Sequence, residues 1–316
     1  MKDLKVIFMG TPLFSVPILK ELIKNTNVIG VVTAPDAYIG RKKILTPCEI
    51  KKIALENNIK VFSPVKLRLE YNDIINLKPD IIITCAYGQI VPKEVLDAPK
   101  LGCINIHASL LPKYRGASPI YSAILNGEKE TGITLMYMAE GLDTGDIIKA
   151  EKIRIDDNDN METLSNKLSE LASKMIIDNL PSLINGTNER VKQDDTKSTY
   201  VGLIKREDEH INFNIDAKDV YNKFRALSPS PLANFILDDV EYKIGACEVV
   251  DVLGKASTII AEDKDSFTIG CQNKSIKITK IKPLGKNLMS VKDFKNGYHS
   301  VLIGKVVKWK RKIKIK

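Results

Sequence analysis

The chain has 316 residues, of which 44% are hydrophobic and 28% charged, and a formal net charge of +9. That balance reads as globular, and no apolar run approaches the roughly 20 residues that span a bilayer. Cysteines at 48, 85, 103, 247 and 271 form an odd set without C-x-x-C spacing. This argues against a disulfide framework or a zinc site and for a reducing, cytoplasmic setting, with Cys85 and Cys103 as buried free thiols.

Strand and helix signals alternate through the first half. LKVIFMG (4–10) reads as a buried strand, FSVPILKELIKN (14–25) as an amphipathic helix, and VIGVVTA (28–34) as a second strand. PDAYIGRKK (35–43) has no apolar periodicity and reads as an exposed loop. PCEIKKIALENN (47–58) is a helix and KVFSP (60–64) a short strand. DIIITCAY (80–87) and GCINIHA (102–108) are β-branched strands buried on both faces. SPIYSAILNG (118–127) opens with Ser-Pro and closes with Gly, as a helix does, and GITLMYM (132–138) is a further strand. Alternation of this kind predicts an α/β fold, a mostly parallel sheet with helices on both faces.

A long amphipathic helix is expected over 161–187, followed by a polar, aperiodic linker at 190–206. From about residue 207 the texture changes to short alternating strands with turn residues, the pattern of a small β-barrel. Charge changes with it. Residues 1–200 sum to +1 and residues 201–316 to +8, and the last 46 residues hold fourteen Lys or Arg against the single acid Asp293. A charge run is usually a solvated face, but a whole terminal domain of one sign points to a polyanionic partner. In SIKITKIK and VVKWKRKIKIK, alternation sends Ile and Val to a barrel core and the cations to the opposite face.

Asn105 and His107 end a buried strand, and residues two apart share a face. The C-terminal edge of a parallel sheet is where open α/β folds place their sites. Histidine can move a proton near neutral pH, and an asparagine N–H suits a carbonyl oxygen that becomes an oxyanion, so the pair fits acyl or formyl transfer. Two residues are a weak motif, and a satisfied polar pair closing the strand is the plain alternative. In MAEGLDTGDII (138–148), Asp143 and Asp146 lie in a Gly-rich loop directly after a strand. An acid there could orient His107, bind a metal or cap its own turn. Neither G-x-G-x-x-G after the first strand nor G-x-x-x-x-G-K-[ST] occurs, so a dinucleotide or nucleoside triphosphate fold is poorly supported.

Taken together, GCINIHASLLPKYRGASPI and GLDTGD resemble the formyltransferases that use 10-formyltetrahydrofolate, whose pattern is Asn-x-His, then S-L-L-P, then a downstream Asp. The wider set IFMGTPLFSVPILKELI, VTAPD, GRKK, AYGQIVPKEVL, TGITLMYMAEGLDTGDII, RALSPSPLANF and IKPLGKNLMS resembles, over the whole chain, the methionyl-tRNA formyltransferase family. One departure is Ala108, where many members have Gly.

The resemblance implies a Rossmann-like catalytic domain over 1–189, a linker over 190–206 and a basic, OB-like tRNA-binding domain over 207–316. It implies formyl transfer from 10-formyltetrahydrofolate, without a metal, to the methionine amine of initiator methionyl-tRNA, giving formylmethionyl-tRNA for translation initiation. Asn105, His107 and Asp143 match the catalytic residues. Tyr87, Gly88, Gln89 and Ile90, with Ser109, Leu110, Leu111 and Pro112, would hold the folate. Phe14, Arg41, Lys42, Lys43, Lys308, Lys310 and Arg311 would meet the methionyl end or the tRNA. A monomer is expected. A free α-amino group has a pKa of about 8, so a usable fraction is neutral near pH 7. The harder demand is the formyl oxygen that turns anionic on attack, and Asn105 and His107 are suited to it. Alternatives are a formyltransferase acting on a small amine, or a nucleic-acid-binding protein with an inactive α/β domain. The basic C-terminal domain disfavours the first, and the intact Asn105, His107 and Asp143 the second.

Overall fold

Val6, Ile7, Phe8 and Met9 are all fully buried. Successive strand residues point to opposite faces, so the strand Lys5–Gly10 is covered on both sides, as in a parallel sheet flanked by helices. The same holds for Ile81, Ile82 and Ile83 on the neighbouring strand Ile81–Cys85. These strands belong to a computed structural model in which residues 1–40, 42–297 and 301–309 are described. By contact density the chain forms two units. The first comprises residues 1–119, 130–154 and 165–202, and the second 120–129, 155–164 and 203–316.

In the first unit seven strands lie in the order Ile147–Arg154, Glu130–Tyr137, Cys103–His107, Ile81–Cys85, Lys5–Gly10, Asn27–Val32, Val61–Phe62. The five from Cys103–His107 to Val61–Phe62 run parallel. Glu130–Tyr137 and Ile147–Arg154 are antiparallel, so the sheet is parallel-dominated with an antiparallel flank. Ile7, Met9, Ile82 and Cys103 share a core with Leu67, Ile74 and Val95. Burial pushes the Cys85 and Cys103 thiols up to about 12, so both stay protonated and serve as small apolar side chains. Helices Val16–Asn25, Glu49–Glu56 and Pro119–Leu125 fall where their periodicity and stop signals place them.

The segment expected as a loop at 35–43 differs. Ala37–Ile39 pairs antiparallel with Ile44–Thr46 in a hairpin. Its Tyr38, Ile39, Ile44 and Leu45 are exposed, so neither face is apolar by design of burial and the alternation that betrays a strand is missing.

In the second unit five antiparallel strands follow the order Asn234–Leu237, Val240–Val250, Ser275–Pro283, Phe267–Gly270, Ile259–Glu262, and Met289–Ser290 pairs with Ser275–Pro283. Within Ser275–Pro283, Ile276, Ile278 and Ile281 are buried while Lys280 and Lys282 face solvent. Strict alternation would set Lys280 on the face of Ile276 and Ile278, but the register against Val240–Val250 shifts between Ile244 and Cys247, opposite Ile281 to Ile278, and the phase changes there. Phe235 lies at the centre of the core, in ring contact with Phe213, Tyr242 and Phe267. The curled sheet is joined by residues 304–308. Lys308 exchanges both backbone bonds with Ile236 on one edge strand, and Val307 N–H donates to Ser257 O beside the other. Both edges thereby gain partners, which removes the exposed strand edge. The tail therefore enters the sheet through isolated bridges at Val306 and Lys308.

Arg225, on the helix Ala217–Ala226, is almost fully buried in this unit. Its guanidinium donates to the carbonyls of Asp156 (3.1 Å) and Asp159 (2.8 Å) and to Asn222 Oδ1 (2.8 Å). These bonds tie the 155–164 segment to the helix Ala217–Ala226 and give partners to both terminal nitrogens of a charge that burial would otherwise penalise, while Arg225 Nε is buried without one.

Candidate active site

The strand Cys103–His107 carries Asn105 and His107 on one face at the C-terminal edge of the parallel strands. Each side chain is held by a specific partner. The Thr84 hydroxyl, one strand over, donates to Asn105 Oδ1 (2.9 Å). That contact fixes the amide, because its oxygen is taken and its NH2 must face the other way. One amide proton points to Asp143 Oδ1 at 3.3 Å, which leaves the other able to donate elsewhere.

His107 is buried, with Nε2 2.9 Å from the Tyr114 carbonyl. A carbonyl only accepts, so Nε2 carries the proton in the neutral ring. Nδ1 is then the free base, and it faces Asp143 Oδ2 at 3.6 Å. A proton arriving at Nδ1 meets a carboxylate, so both N–H groups of the charged ring would have oxygen partners.

Asp143 connects the group. Its Oδ2 accepts from the Gly116 N–H (2.8 Å) and faces His107, while its Oδ1 faces Asn105. The residue adopts φ 52, a left-handed conformation that asparagine and aspartate tolerate better than most residues. The two loop acids separate cleanly here. Asp146 accepts from Arg190 Nε (2.8 Å), and that guanidinium stacks over the Tyr137 ring, so Asp146 is engaged outside the trio.

The segment 109–112 turns the chain from His107 to Tyr114. Ser109 is buried and its hydroxyl donates to Lys113 O (2.7 Å), while Thr134 Oγ1 donates to Ser109 O and accepts from Leu111 N. Leu111 is buried, and Leu110 and Pro112 are half-buried. Tyr87, Gly88, Gln89 and Ile90 follow the strand Ile81–Cys85 at the same sheet edge. Gln89 spends its amide on Leu67 N and Pro64 O, whereas Ile90 is 90% exposed. The Tyr87 ring is core, but its hydroxyl is buried without a hydrogen-bond partner, and burial pushes the phenol up to about 12.

Phe14 is half-buried in the turn Leu13–Ser15 that follows the first strand, with its carbonyl accepting from Ser169 Oγ. Lys42 and Lys43 are exposed at the tip of the 37–46 hairpin. Lys308 is partly exposed in the second unit, 3.4 Å from Asp239. Arg41, Lys310 and Arg311 lie outside the described residues. Among the described residues, no group of His, Cys, Asp and Glu is arranged to hold a metal ion, and no helix is long and apolar enough to cross a membrane.

Thr84, which donates to Asn105, is a candidate site residue that sequence reading passes over, a lone hydroxyl in an apolar run. The signal available was its place one strand from Asn105 in a parallel pair. Thr84→Val keeps the shape and removes the donor. We expect kcat to fall about tenfold, the rate equivalent of one hydrogen bond of roughly 1.4 kcal/mol. Steady-state formylation kinetics check this, and an unchanged kcat would show that Asn105 is held by other means.

A parallel-dominated sheet with this polar trio at its C-terminal edge has the chemistry for acyl or formyl transfer. Residues 4–180 match the formyl transferase family and residues 203–299 the formyl transferase C-terminal domain. Curated relatives named methionyl-tRNA formyltransferase include one from Staphylococcus epidermidis, 44% identical over 307 residues, which covers 96% of this chain and 99% of the relative. Another from Staphylococcus aureus is 44% identical over 306 residues, covering 95% and 98%. The chain belongs to the methionyl-tRNA formyltransferase family. Solved structures share the fold. An N-formyltransferase from Helicobacter canadensis, in complex with folinic acid and dTDP-3-aminofucose, aligns at TM-score 0.67 and 24% identity, covering 87% of this chain and 98% of that one. HypX from Aquifex aeolicus aligns at TM-score 0.67 and 17% identity, covering 94% of this chain and 48% of that one.

Proposed function

We propose that this chain transfers the formyl group of 10-formyltetrahydrofolate to the methionine α-amine of initiator methionyl-tRNA. The observation that carries the chemistry is the mutual engagement of Asn105, His107 and Asp143. Thr84 holds the Asn105 amide with its N–H outward, so Asn105 donates to the formyl oxygen as it becomes anionic. His107 Nδ1 takes the proton that the attacking amine must lose and returns it to the departing nitrogen of the folate. Asp143 holds the ring and stabilises the charge it acquires meanwhile. The folate supplies an activated formyl carbon. The turns 87–90 and 109–112 are the segments we assign to it, and the partnerless Tyr87 hydroxyl fits a polar ligand at that edge. Phe14 and the 37–46 hairpin, with Lys42 and Lys43, are assigned to the methionyl end and the tRNA.

The second unit is assigned to tRNA affinity. Lys280 and Lys282 are exposed on a rigid strand and free to meet phosphates, whereas Lys305 and Lys308 already lie beside Asp238 and Asp239. Phosphate contacts supply affinity and orientation but little sequence information. A Lys280→Gln, Lys282→Gln variant should therefore bind tRNA more weakly and lose roughly 0.7 to 0.9 log units of salt slope per contact removed, with turnover at saturating tRNA nearly unchanged. The deciding experiment measures formyl transfer to methionyl-tRNA and to free amines of small molecules, across salt concentrations. Equal efficiency with a small amine, or an unaltered salt slope in the double variant, would refute the assignment.

A further inference from the structure

Residues 193–200, polar and aperiodic in sequence, make close contact with the trio's supports. Gln193 is 6% exposed, and every hydrogen-bonding position on its amide is used. Nε2 donates to the carbonyls of Asp143 (2.9 Å) and Gly145 (2.7 Å), on the turn that presents the Asp143 carboxylate. Oε1 accepts from Arg115 Nε (3.1 Å) and Nη2 (2.8 Å).

Arg115 is 1% exposed and, among the described residues, is the largest fully buried side chain. Two of its other N–H groups reach Asp195 (2.7 Å) and the Tyr200 hydroxyl (2.9 Å). The backbone on either side of Arg115 serves the trio directly. The Tyr114 carbonyl accepts from His107, and the Gly116 N–H donates to Asp143. This backbone is fixed in turn by the same distal segment. Thr199 Oγ1 accepts from the Tyr114 N–H (2.8 Å), Thr199 O accepts from the Arg115 N–H (2.8 Å), and Arg115–Gly116 pairs with Tyr200–Val201.

We infer that Gln193 and Thr199 are positioning residues for the reaction, Gln193 setting Asp143 through the 143–145 turn and Thr199 setting His107 through Tyr114. The inference rests on the assignment of Asn105, His107 and Asp143 as the reacting groups. A buried guanidinium needs partners wherever it sits, and Gln193 and Asp195 would suffice for that purpose. Stability alone does not require the other half of the Gln193 amide to grip both carbonyls of a catalytic turn, nor Thr199 to bind next to the His107 acceptor. Displacements of about 1 Å at such supports can cost about 100-fold in rate.

The test separates positioning from folding. Gln193→Glu keeps the size and the Arg115 contact but presents oxygens, not N–H donors, to the two carbonyls. We expect kcat to fall about 10- to 100-fold, with KM for folate and for methionyl-tRNA within about twofold of wild type. In an Asp143→Ala background the same change should cost nothing further, because its effect passes through Asp143. Thr199→Val, at an exposed position, should lower kcat about threefold or more and be silent in a His107→Ala background. Losses that add in the double variants, or a KM effect with kcat intact, would overturn the inference. If Gln193→Glu does not fold, Thr199→Val decides, and an unchanged kcat there overturns it. Normal turnover in Asp143→Ala and His107→Ala would instead remove the reading of the trio itself. A loss there with none in Gln193→Glu or Thr199→Val removes only the bracing.

Discussion

His107→Ala should lower formyl transfer to methionyl-tRNA by at least about 100-fold, the usual scale for losing a general base or an oxyanion donor. The expectation follows from the direction of its two nitrogens. Nε2 is committed to the Tyr114 carbonyl, so Nδ1 is the position that can accept a proton, and Asp143 waits beside it. Removing the ring also leaves that carbonyl short of a donor at a partly open site, a stability cost of about 1 kcal/mol that should not unfold the chain. Asp143→Asn should be nearly as damaging as Asp143→Ala. The carboxylate meets donors on both oxygens, from Gly116 and from Asn105. An amide has one acceptor and one donor end, so either orientation sets N–H against N–H. Single-turnover assays with saturating folate isolate the chemical step. Near-normal turnover in His107→Ala, or a fully active Asp143→Asn, would sink the mechanism.

The parts of this site that were legible in sequence are those where periodicity speaks. Asn105 and His107 stand out because they interrupt a buried strand at i and i+2, and burial of that strand on both faces locates them at a sheet edge. Asp143 stands out only in combination with the family pattern, since two acids in a Gly-rich loop look alike until Arg190 is seen to engage Asp146. Thr84 is hidden because a threonine suits a β-strand without any further reason. Gln193 and Thr199 are hidden for the opposite cause. Polar, aperiodic sequence looks like solvent-exposed chain, yet here the polarity satisfies backbone groups 50 and 85 residues away. Hydrogen-bond partners at that separation leave no local trace. The same holds for residues 304–308, whose alternation is visible but whose backbone joins two edges of the second unit's sheet, a role that only tertiary pairing reveals. Hydrophobic pattern thus locates the layers, while long-range polar contacts such as those of Gln193 and Thr199 need the fold.

Those contacts make the turn at 143–145 sensitive to steric change, and Gly145→Ala should cost about 100-fold in kcat. A methyl on Gly145 would overlap the Tyr137 carbonyl oxygen and press on the carbonyl carbon behind it. That carbonyl cannot give way easily. The Tyr137 N–H donates to the Asp146 carbonyl (2.9 Å), and the Met138 N–H donates to the Cys103 carbonyl (2.8 Å), which ties this backbone to the strand carrying Asn105 and His107. The loop must therefore move outward, taking with it the Gly145 carbonyl that Gln193 holds and the Asp143 carboxylate two residues earlier. Overpacking of this kind costs roughly 1 to 3 kcal/mol of stability, which a two-unit chain can survive. The rate loss should be larger, because Asp143 must face His107 and Asn105 at once, and a shift that keeps one contact breaks the other. Comparing kcat at a temperature well below the melting transition with the change in Tm separates the two effects. A Gly145→Ala enzyme that melts several degrees early yet turns over at the normal rate would mean that Asp143 is held by Gly116 alone. The turn would then be a structural detail and not part of the catalytic geometry.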